Sequence, residues 1–146
     1  MKEDQSAGWL LVVEDQPDLW RILELYLKRL LPHVPTIHAL NAPAALTQLE
    51  QTVAAGKPLP RLVLTNLYMP KLEDGLNFLT SLQEPGSAYQ TVPIIVISSS
   101  VNAGDKQQVH QRGATYFTKP ISSEQWFTFF KSIQTYWPSP GIPADE

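Results

Sequence analysis

The sequence predicts a single α/β domain built on a parallel β-sheet with helices on both faces. Three observations lead to this prediction. Short apolar runs alternate five times with longer segments of helical periodicity, the connections between them are short, and 146 residues suit about one domain. Strands and helices that alternate in this way form parallel sheets with right-handed crossovers. We therefore predict a doubly wound (βα)5 domain at residues 9–137, with tails at 1–8 and 138–146.

Most predicted strands are short apolar runs bounded by proline, glycine or polar residues, whereas Val34–Ala39 is a weaker strand in which Val34 and Ile37 alternate with polar residues. The central run, Leu62–Leu64, lies between Pro60 and Pro70. It is too short for a helix, since helices usually need about ten or more residues. The other predicted strands are Trp9–Val13, Val34–Ala39, Pro93–Ile97 and Ala114–Thr118.

The first two predicted helices are recognised by apolar residues at helical spacing and by signals at their ends. Pro17 suits the first turn of a helix, where its missing N–H costs nothing, and Pro32 ends this first helix. Asn41 is a capping residue for the second helix, Pro43 lies in its first turn and Gly56 ends it.

The third and fourth helices have weaker signals. Lys71–Gly75 is polar and ends in glycine, so it is predicted as a turn, with a helix from Leu76 to Leu82 after it. Asn102–Arg112 is only weakly amphipathic, and Val109 is its main apolar anchor.

The last helix is predicted to begin at Ser122 or Ser123 and to bury an aromatic stripe. Phe127 and Tyr136 fall outside that stripe, which leaves a homodimer contact through the last helix as a further expectation. The stripe consists of Trp126, Phe129, Phe130, Ile133 and Trp137.

Composition excludes several classes of function. The chain has no cysteine, so disulfides, thiol chemistry and cysteine–zinc sites are absent. The net charge is −3 and there is no run of basic residues, which argues against nucleic-acid binding. Neither a signal-peptide pattern nor an apolar stretch of about 18 residues is present, so a cytoplasmic protein without a membrane segment is expected.

Polar residues follow four of the predicted strands: Glu14 and Asp15, then Asn66, Ser98 and Lys119. The carboxyl ends of parallel strands lie along one edge of the sheet, so these side chains should converge. Two carboxylates can hold a hard divalent cation, and Mg²⁺ commonly uses one or two of them with water and phosphate oxygens. A hydroxyl and an ammonium group could then bind a phosphoryl group.

Together with Met69-Pro70, Gly75 and Pro120, this set resembles the receiver domain of two-component response regulators (CheY-like) over 9–137. The resemblance implies a flavodoxin-like sheet with strand order 2-1-3-4-5. It also implies a signalling module rather than an enzyme, which takes a phosphoryl group from a histidine kinase or a histidine phosphotransfer protein and contacts a downstream protein. Since the chain carries no output domain, a stand-alone receiver or a fragment of a longer protein is expected.

The resemblance also implies a metal site. Asp15 would be a direct ligand of Mg²⁺, Glu14 a ligand mostly through water, and the backbone carbonyl of Tyr68 a third contact, with Asn66 at the same site.

On the phosphoryl side, the resemblance implies that Ser98 binds a phosphoryl oxygen and that Lys119 pairs with the phosphorylated side chain. Ser98 and Tyr116 fall at the switch positions, and a cis peptide bond is expected at Lys119-Pro120.

Asn66 departs from the family, which has its phospho-accepting aspartate here. A carboxamide is a poor nucleophile, and it removes one negative charge from the metal site. A unit-charge pair at ~4 Å and a dielectric of ~20 is worth about 4 kcal/mol, so weaker Mg²⁺ binding is expected. The residue is either an introduced substitution in an otherwise regular receiver or the natural residue of a receiver that signals without phosphorylation.

Taken singly, these residues have ordinary explanations as caps, turn residues or solvated charges, and only their joint occurrence at four strand ends favours a site. A phosphorylation-independent pseudo-receiver that binds proteins is the alternative function. A flavodoxin-type cofactor protein is disfavoured because Glu14 and Asp15 would repel a phosphate after the first strand. An aspartate-nucleophile phosphatase is disfavoured because Asp15 and Asp18 have the wrong spacing.

Overall fold

The computed structural model describes residues 8–137, in which five strands alternate with five helices. The predicted tails at 1–8 and 138–146 lie outside the described residues, except for Gly8. The elements are β1 (Leu10–Val13), α1 (Pro17–Leu30), β2 (Thr36–Ala39), α2 (Ala42–Ala54), β3 (Leu62–Asn66), α3 (Leu72–Gln83), β4 (Ile94–Ser98), α4 (Ala103–Gln111), β5 (Thr115–Thr118) and α5 (Ser123–Gln134).

The five strands form one parallel sheet in the order β2-β1-β3-β4-β5. This confirms the predicted fold class and the strand order that the resemblance implied. Val13 is aligned with Thr65 at the ends of β1 and β3, and Ser98 is aligned with Thr118 at the ends of β4 and β5. The register therefore brings the carboxyl ends of the strands to one edge.

Alternate side chains of the strands build a hydrophobic core on each face of the sheet. Leu11 and Val13 of β1 belong to the core under α2, α3 and α4, whereas Leu10 and Val12 belong to the core under α1 and α5. All five residues of the predicted stripe are buried in the second core, although Trp137 follows the end of α5 at Gln134, and Phe127 is 48% exposed. The prediction of a buried face on this helix is confirmed.

The third helix begins earlier than predicted, at Leu72 rather than Leu76, and the predicted turn at Lys71–Gly75 is wrong. The Lys71 N–H donates a hydrogen bond to the Asp74 carboxylate (2.9 Å), which satisfies the start of the helix. Gly75 lies inside this helix. The position requires glycine because a Cβ there would collide with the Leu67 carbonyl. The glycine thus serves close packing of α3 against the loop after β3.

Two capping predictions are confirmed. The Asn41 side chain accepts a hydrogen bond from the Ala44 N–H (2.8 Å), and the Ser122 hydroxyl, rather than that of Ser123, accepts one from the Gln125 N–H (3.1 Å). β2 begins at Thr36 instead of Val34 because the Val34 N–H donates to the Leu31 carbonyl (3.1 Å).

The expected cis peptide bond at Lys119-Pro120 is wrong, because the cis bond within residues 8–137 is Met69-Pro70. In the same part of the chain, no helix is both long and apolar enough to cross a membrane.

Candidate functional site

Glu14 and Asn66 meet at the edge of the sheet, where β1 and β3 end side by side. The Asn66 amide nitrogen donates a hydrogen bond to Glu14 Oε2 (3.2 Å), and the Gln16 N–H donates to the same oxygen (3.0 Å). Glu14 is only 1% exposed, although it carries a carboxylate. The structure therefore brings together two of the residues that the sequence predicted at this edge.

The Asn66 amide is held at both of its polar atoms. Its Oδ1 accepts a hydrogen bond from the Leu67 N–H (2.7 Å), while its nitrogen is directed at the Glu14 carboxylate. An aspartate could not donate to Glu14 in this way, because an ionised carboxylate only accepts hydrogen bonds. Asn66 thus supplies Glu14 with a neutral donor at a place where a second carboxylate would repel it.

Two carboxylate oxygens of this site lack hydrogen-bond partners. Glu14 Oε1 and Asp15 Oδ1 are both buried and unpartnered. Burial raises the pKa of Glu14 from its ordinary 4.5 to about 7, and the neighbouring Asp15 carboxyl adds to this increase, against the opposing hydrogen bonds from Gln16 and Asn66. Buried carboxylates without donors are costly and are normally paired or bound to metal.

This donor set fits a hard divalent cation such as Mg²⁺, which needs only one or two protein carboxylates together with water. Within residues 8–137, no group of three or more histidine, cysteine or acidic side chains is arranged to hold a metal. The buried carboxylate oxygens without a partner in this range are Glu14 Oε1 and Asp15 Oδ1.

His38 supports the acidic segment from the neighbouring strand. Its Nε2 lies 2.8 Å from the Glu14 carbonyl oxygen and must carry the proton, because a carbonyl only accepts. The ring also stacks on Trp20, with 4.1 Å between ring centroids. The sequence analysis missed His38, whose position in a short edge strand carried no sign of this contact.

Ser98 and Lys119 lie together at the ends of β4 and β5. The Lys119 N–H donates to the Ser98 carbonyl (2.8 Å), and the Ser98 hydroxyl accepts a hydrogen bond from the Ser100 N–H (3.1 Å). In the part of the chain that the structure describes, the Lys119 ammonium makes no hydrogen bond or ion pair. Neither side chain forms a hydrogen bond with Asn66, so the two halves of the predicted site share an edge without a hydrogen bond between them.

A polar network lies beside Ser98 and was largely missed by the sequence analysis. Asp105 Oδ2 accepts hydrogen bonds from the hydroxyls of Tyr68 (2.6 Å) and Ser100 (2.7 Å), and the Tyr116 hydroxyl donates to the Ser100 carbonyl (2.6 Å). The sequence predicts a role for the backbone carbonyl of Tyr68 and a switch role for Tyr116, but neither hydroxyl contact. The missed signal is that Asp105 precedes Val109 by four residues and thus shares the buried face of α4.

Comparison with known proteins identifies relatives of this chain. The probable methanogenesis regulatory protein FilR2 of Methanothrix harundinacea is 30% identical over 95 residues, which are 64% of this chain and 60% of that protein. The chain therefore spans less than two thirds of the length of that relative.

Two solved structures share the fold. The phosphorylated cyanobacterial phytochrome response regulator RcpA superposes with a TM-score of 0.77 at 23% identity, covering 95% of this chain and 99% of the other. The Mn²⁺-bound form of the response regulator Rcp1 superposes with a TM-score of 0.76 at 24% identity, covering 94% of this chain and 99% of the other.

The family model described as the response regulator receiver domain matches residues 10–131. This match extends from β1 into α5 and contains all four strand ends that form the candidate site. The chain therefore belongs to the response regulator receiver domain family.

Proposed function

We propose that residues 9–137 are a receiver in which Asn66 occupies the phosphoryl-acceptor position, so that the chain as written cannot accept a phosphoryl group. Receiver domains generally act as signalling modules that interact with histidine kinases and downstream partners. The observation that carries the proposal is the position of Asn66 at the end of β3, with its amide nitrogen 3.2 Å from Glu14 Oε2. With aspartate at this position, the site would take the phosphoryl group from a histidine kinase or a histidine phosphotransfer protein.

The proposed metal is Mg²⁺, held by the carboxylates of Glu14 and Asp15 and by the carbonyl of Tyr68. The unpartnered Glu14 Oε1 and Asp15 Oδ1 support this assignment. When bound, the cation would offset the negative charge of the phosphoryl group. Because Asn66 carries no charge, it would bind the cation more weakly than an aspartate.

The chain's own groups suit phosphoryl transfer except at Asn66. An aspartate oxygen would attack phosphorus as the bond between phosphorus and the donor's leaving group breaks, and the released group would depart with that electron pair. The Ser98 hydroxyl could donate to a phosphoryl oxygen, because its contact with the Ser100 N–H uses only an acceptor site. The Lys119 ammonium would offset the negative charge of the phosphorylated side chain.

We propose that the signal is passed by protein–protein contact. Val101 and Ile121, which flank the Ser98 and Lys119 half of the site, are 90% and 89% exposed. They border an open groove of about 810 Å³ beside α5, which also includes Phe117 and Phe129. A homodimer through α5 is one form of this contact, and light scattering over a dilution series would reveal it as a concentration-dependent mass.

The test is intact-mass analysis after incubation with Mg²⁺ and acetyl phosphate. We expect the unchanged chain to gain nothing and Asn66→Asp to gain the mass of one phosphoryl group. Asn77→Asp is the matched control, because it makes the same chemical change at an exposed position of α3. Omission of Mg²⁺ should abolish the gain. A phosphorylated unchanged chain would contradict the proposal.

The second candidate function is a protein-binding module that signals without phosphorylation. The observation in its favour is that the Tyr116 hydroxyl is bonded to the Ser100 carbonyl (2.6 Å), so this side chain is held by groups of the fold itself. If neither the unchanged chain nor Asn66→Asp gains a phosphoryl group, this second function replaces the first.

A further inference from the structure

We propose that Asp105 is a positioning residue that fixes the β4–α4 loop (residues 99–102) by bonding this loop and the loop after β3 at the same time. The inference rests on the proposed function only where it treats Ser98 and Tyr68 as parts of the site. The juxtaposition itself is a property of the fold.

The Asp105 carboxylate is buried and is satisfied by hydroxyl groups. Asp105 is 5% exposed, and its Oδ2 accepts two short hydrogen bonds, at 2.6 Å from Tyr68 and 2.7 Å from Ser100. Such lengths are typical of hydrogen bonds to an ionised acceptor. In the described range 8–137, Asp105 has no ion-pair partner. The buried Asp105 charge is therefore stabilised by the hydroxyls of Tyr68 and Ser100, and the carboxylate in turn fixes the positions of these two hydroxyls.

Ser100 is the point at which the β4–α4 loop is held. Its hydroxyl donates to Asp105 and accepts a hydrogen bond from the Asn102 N–H (3.1 Å). Its own N–H donates to the Ser98 hydroxyl (3.1 Å), and its carbonyl accepts from Tyr116 (2.6 Å). Loss of the carboxylate would release the hydroxyl that organises the other three contacts. Asp105 thus acts on Ser98 through Ser100.

Tyr68 joins the same carboxylate to the other half of the site. It follows Asn66 by two residues, and its hydroxyl crosses to α4 although the ring is 39% exposed. The Asp105 side chain therefore bonds to both segments of the site. One segment contains Tyr68, whose carbonyl is the proposed metal ligand, and the other contains Ser98, the proposed phosphoryl ligand. The start of α4 is therefore tied to both segments of the site by one carboxylate.

Hydrogen exchange of the backbone amides, measured in metal-free buffer, tests this proposal. We expect the amides of residues 99–105 to exchange about tenfold faster in Asp105→Asn, because an amide replaces the charged acceptor. Tyr68→Phe should accelerate the same amides, since it removes one hydroxyl and little else. Tyr89→Phe is the matched control, because Tyr89 is half-buried at the opposite end of the sheet from the network and its hydroxyl has no hydrogen bond among the described residues.

Two further measurements distinguish a positioning role of Asp105 from a general structural role. They are the hydrogen exchange of the double variant Asp105→Asn with Tyr68→Phe, and the urea midpoint of each variant. If Tyr68 acts on the β4–α4 loop through Asp105, the double variant should exchange no faster than Asp105→Asn. Tyr68→Phe should lower the urea midpoint by less than Asp105→Asn does, because Ser100 still donates to the carboxylate. Unchanged exchange at 99–105 in Tyr68→Phe, or acceleration spread evenly over all elements, would overturn the proposal. Because no metal or phosphodonor is present, this failure is distinguishable from a failure of the proposed function.

Discussion

Glu14 and Asp105 are both buried carboxylates near the carboxyl edge of the sheet, yet their surroundings differ. Glu14 accepts two N–H donors on one oxygen and has a second oxygen without a partner. Asp105 accepts two hydroxyls and has no buried oxygen without a partner. The fold therefore leaves one oxygen of the first carboxylate unpartnered and satisfies the second carboxylate with its own hydroxyl groups. Low exposure alone does not distinguish these two carboxylates, whereas their hydrogen-bond partners do.

The largest expected effect comes from adding a third carboxylate beside Glu14. Asn66→Asp should tighten Mg²⁺ binding by more than tenfold, because one added charge at ~4 Å contributes up to about 4 kcal/mol before screening. Isothermal titration calorimetry with MgCl₂ measures this, with Asn77→Asp as the control at an exposed site. Equal affinity in the unchanged chain and in Asn66→Asp would contradict a metal site at this edge.

The same substitution should lower stability when metal is absent. It replaces the amide donor to Glu14 by a like charge, so the urea midpoint in the presence of a chelator should fall relative to that of the unchanged chain. An unchanged or higher midpoint for Asn66→Asp would count against the interpretation of the Asn66–Glu14 contact.

The second effect is the pH dependence of the metal-free protein. The folded state holds a proton on Glu14 at a pH at which the unfolded chain has released it, since the pKa rises from 4.5 to about 7 on folding. The free energy of unfolding should therefore decrease as the pH rises from about 4.5 to 7, by about 3 kcal/mol at most, and by less where solvent screens the charge. Urea denaturation at several pH values, compared with Glu14→Gln, would show whether this slope belongs to Glu14.

The third effect is a difference in stability between two matched variants, in each of which an amide replaces a carboxylate. At pH 8, Glu14→Gln should leave stability equal or higher in metal-free buffer, because it removes a buried charge, one oxygen of which lacks a donor. Asp105→Asn should lower the free energy of unfolding by about 1–3 kcal/mol, because it weakens an acceptor that two hydroxyls share. Urea midpoints of the two variants decide this. Equal decreases in the free energy of unfolding would contradict the proposed difference between Glu14 and Asp105.

The smallest expected effect is on the titration of Tyr68. The hydrogen bond to Asp105 raises the pKa of the Tyr68 phenol above its ordinary value of 10.0, because ionisation would lose that bond and place two negative charges together. Asp105→Asn should lower this pKa, and ¹³C NMR of labelled tyrosine would follow it. The Tyr89 signal in the same spectrum is the internal control, since burial rather than Asp105 is the main cause of its raised pKa. A Tyr68 pKa that is the same in both chains would contradict an ionised Asp105 partner.

The accuracy of the sequence analysis differed between elements for physical reasons. The strands were found because buried parallel strands are continuous apolar runs, and α5 because its apolar spacing matches one helical face. The start of α3 was missed because Gly75 carries the local signal of a turn, whereas its role is to let the helix approach the Leu67 carbonyl. Local signals report backbone preference and cannot reveal a distant packing partner.

By itself the sequence determined the α/β class, the alternation of elements and the polar residues at the strand ends, because these follow from residue type and periodicity. Only the tertiary structure decided that the Asn66 amide faces Glu14, that two carboxylate oxygens remain unpartnered, and that Tyr68 bonds to Asp105. Tyr68 and Asp105 are 37 positions apart, and they meet because α4 crosses over the sheet beside the loop after β3. Contacts of this kind depend on strand order and helix placement, which no run of neighbouring residues encodes.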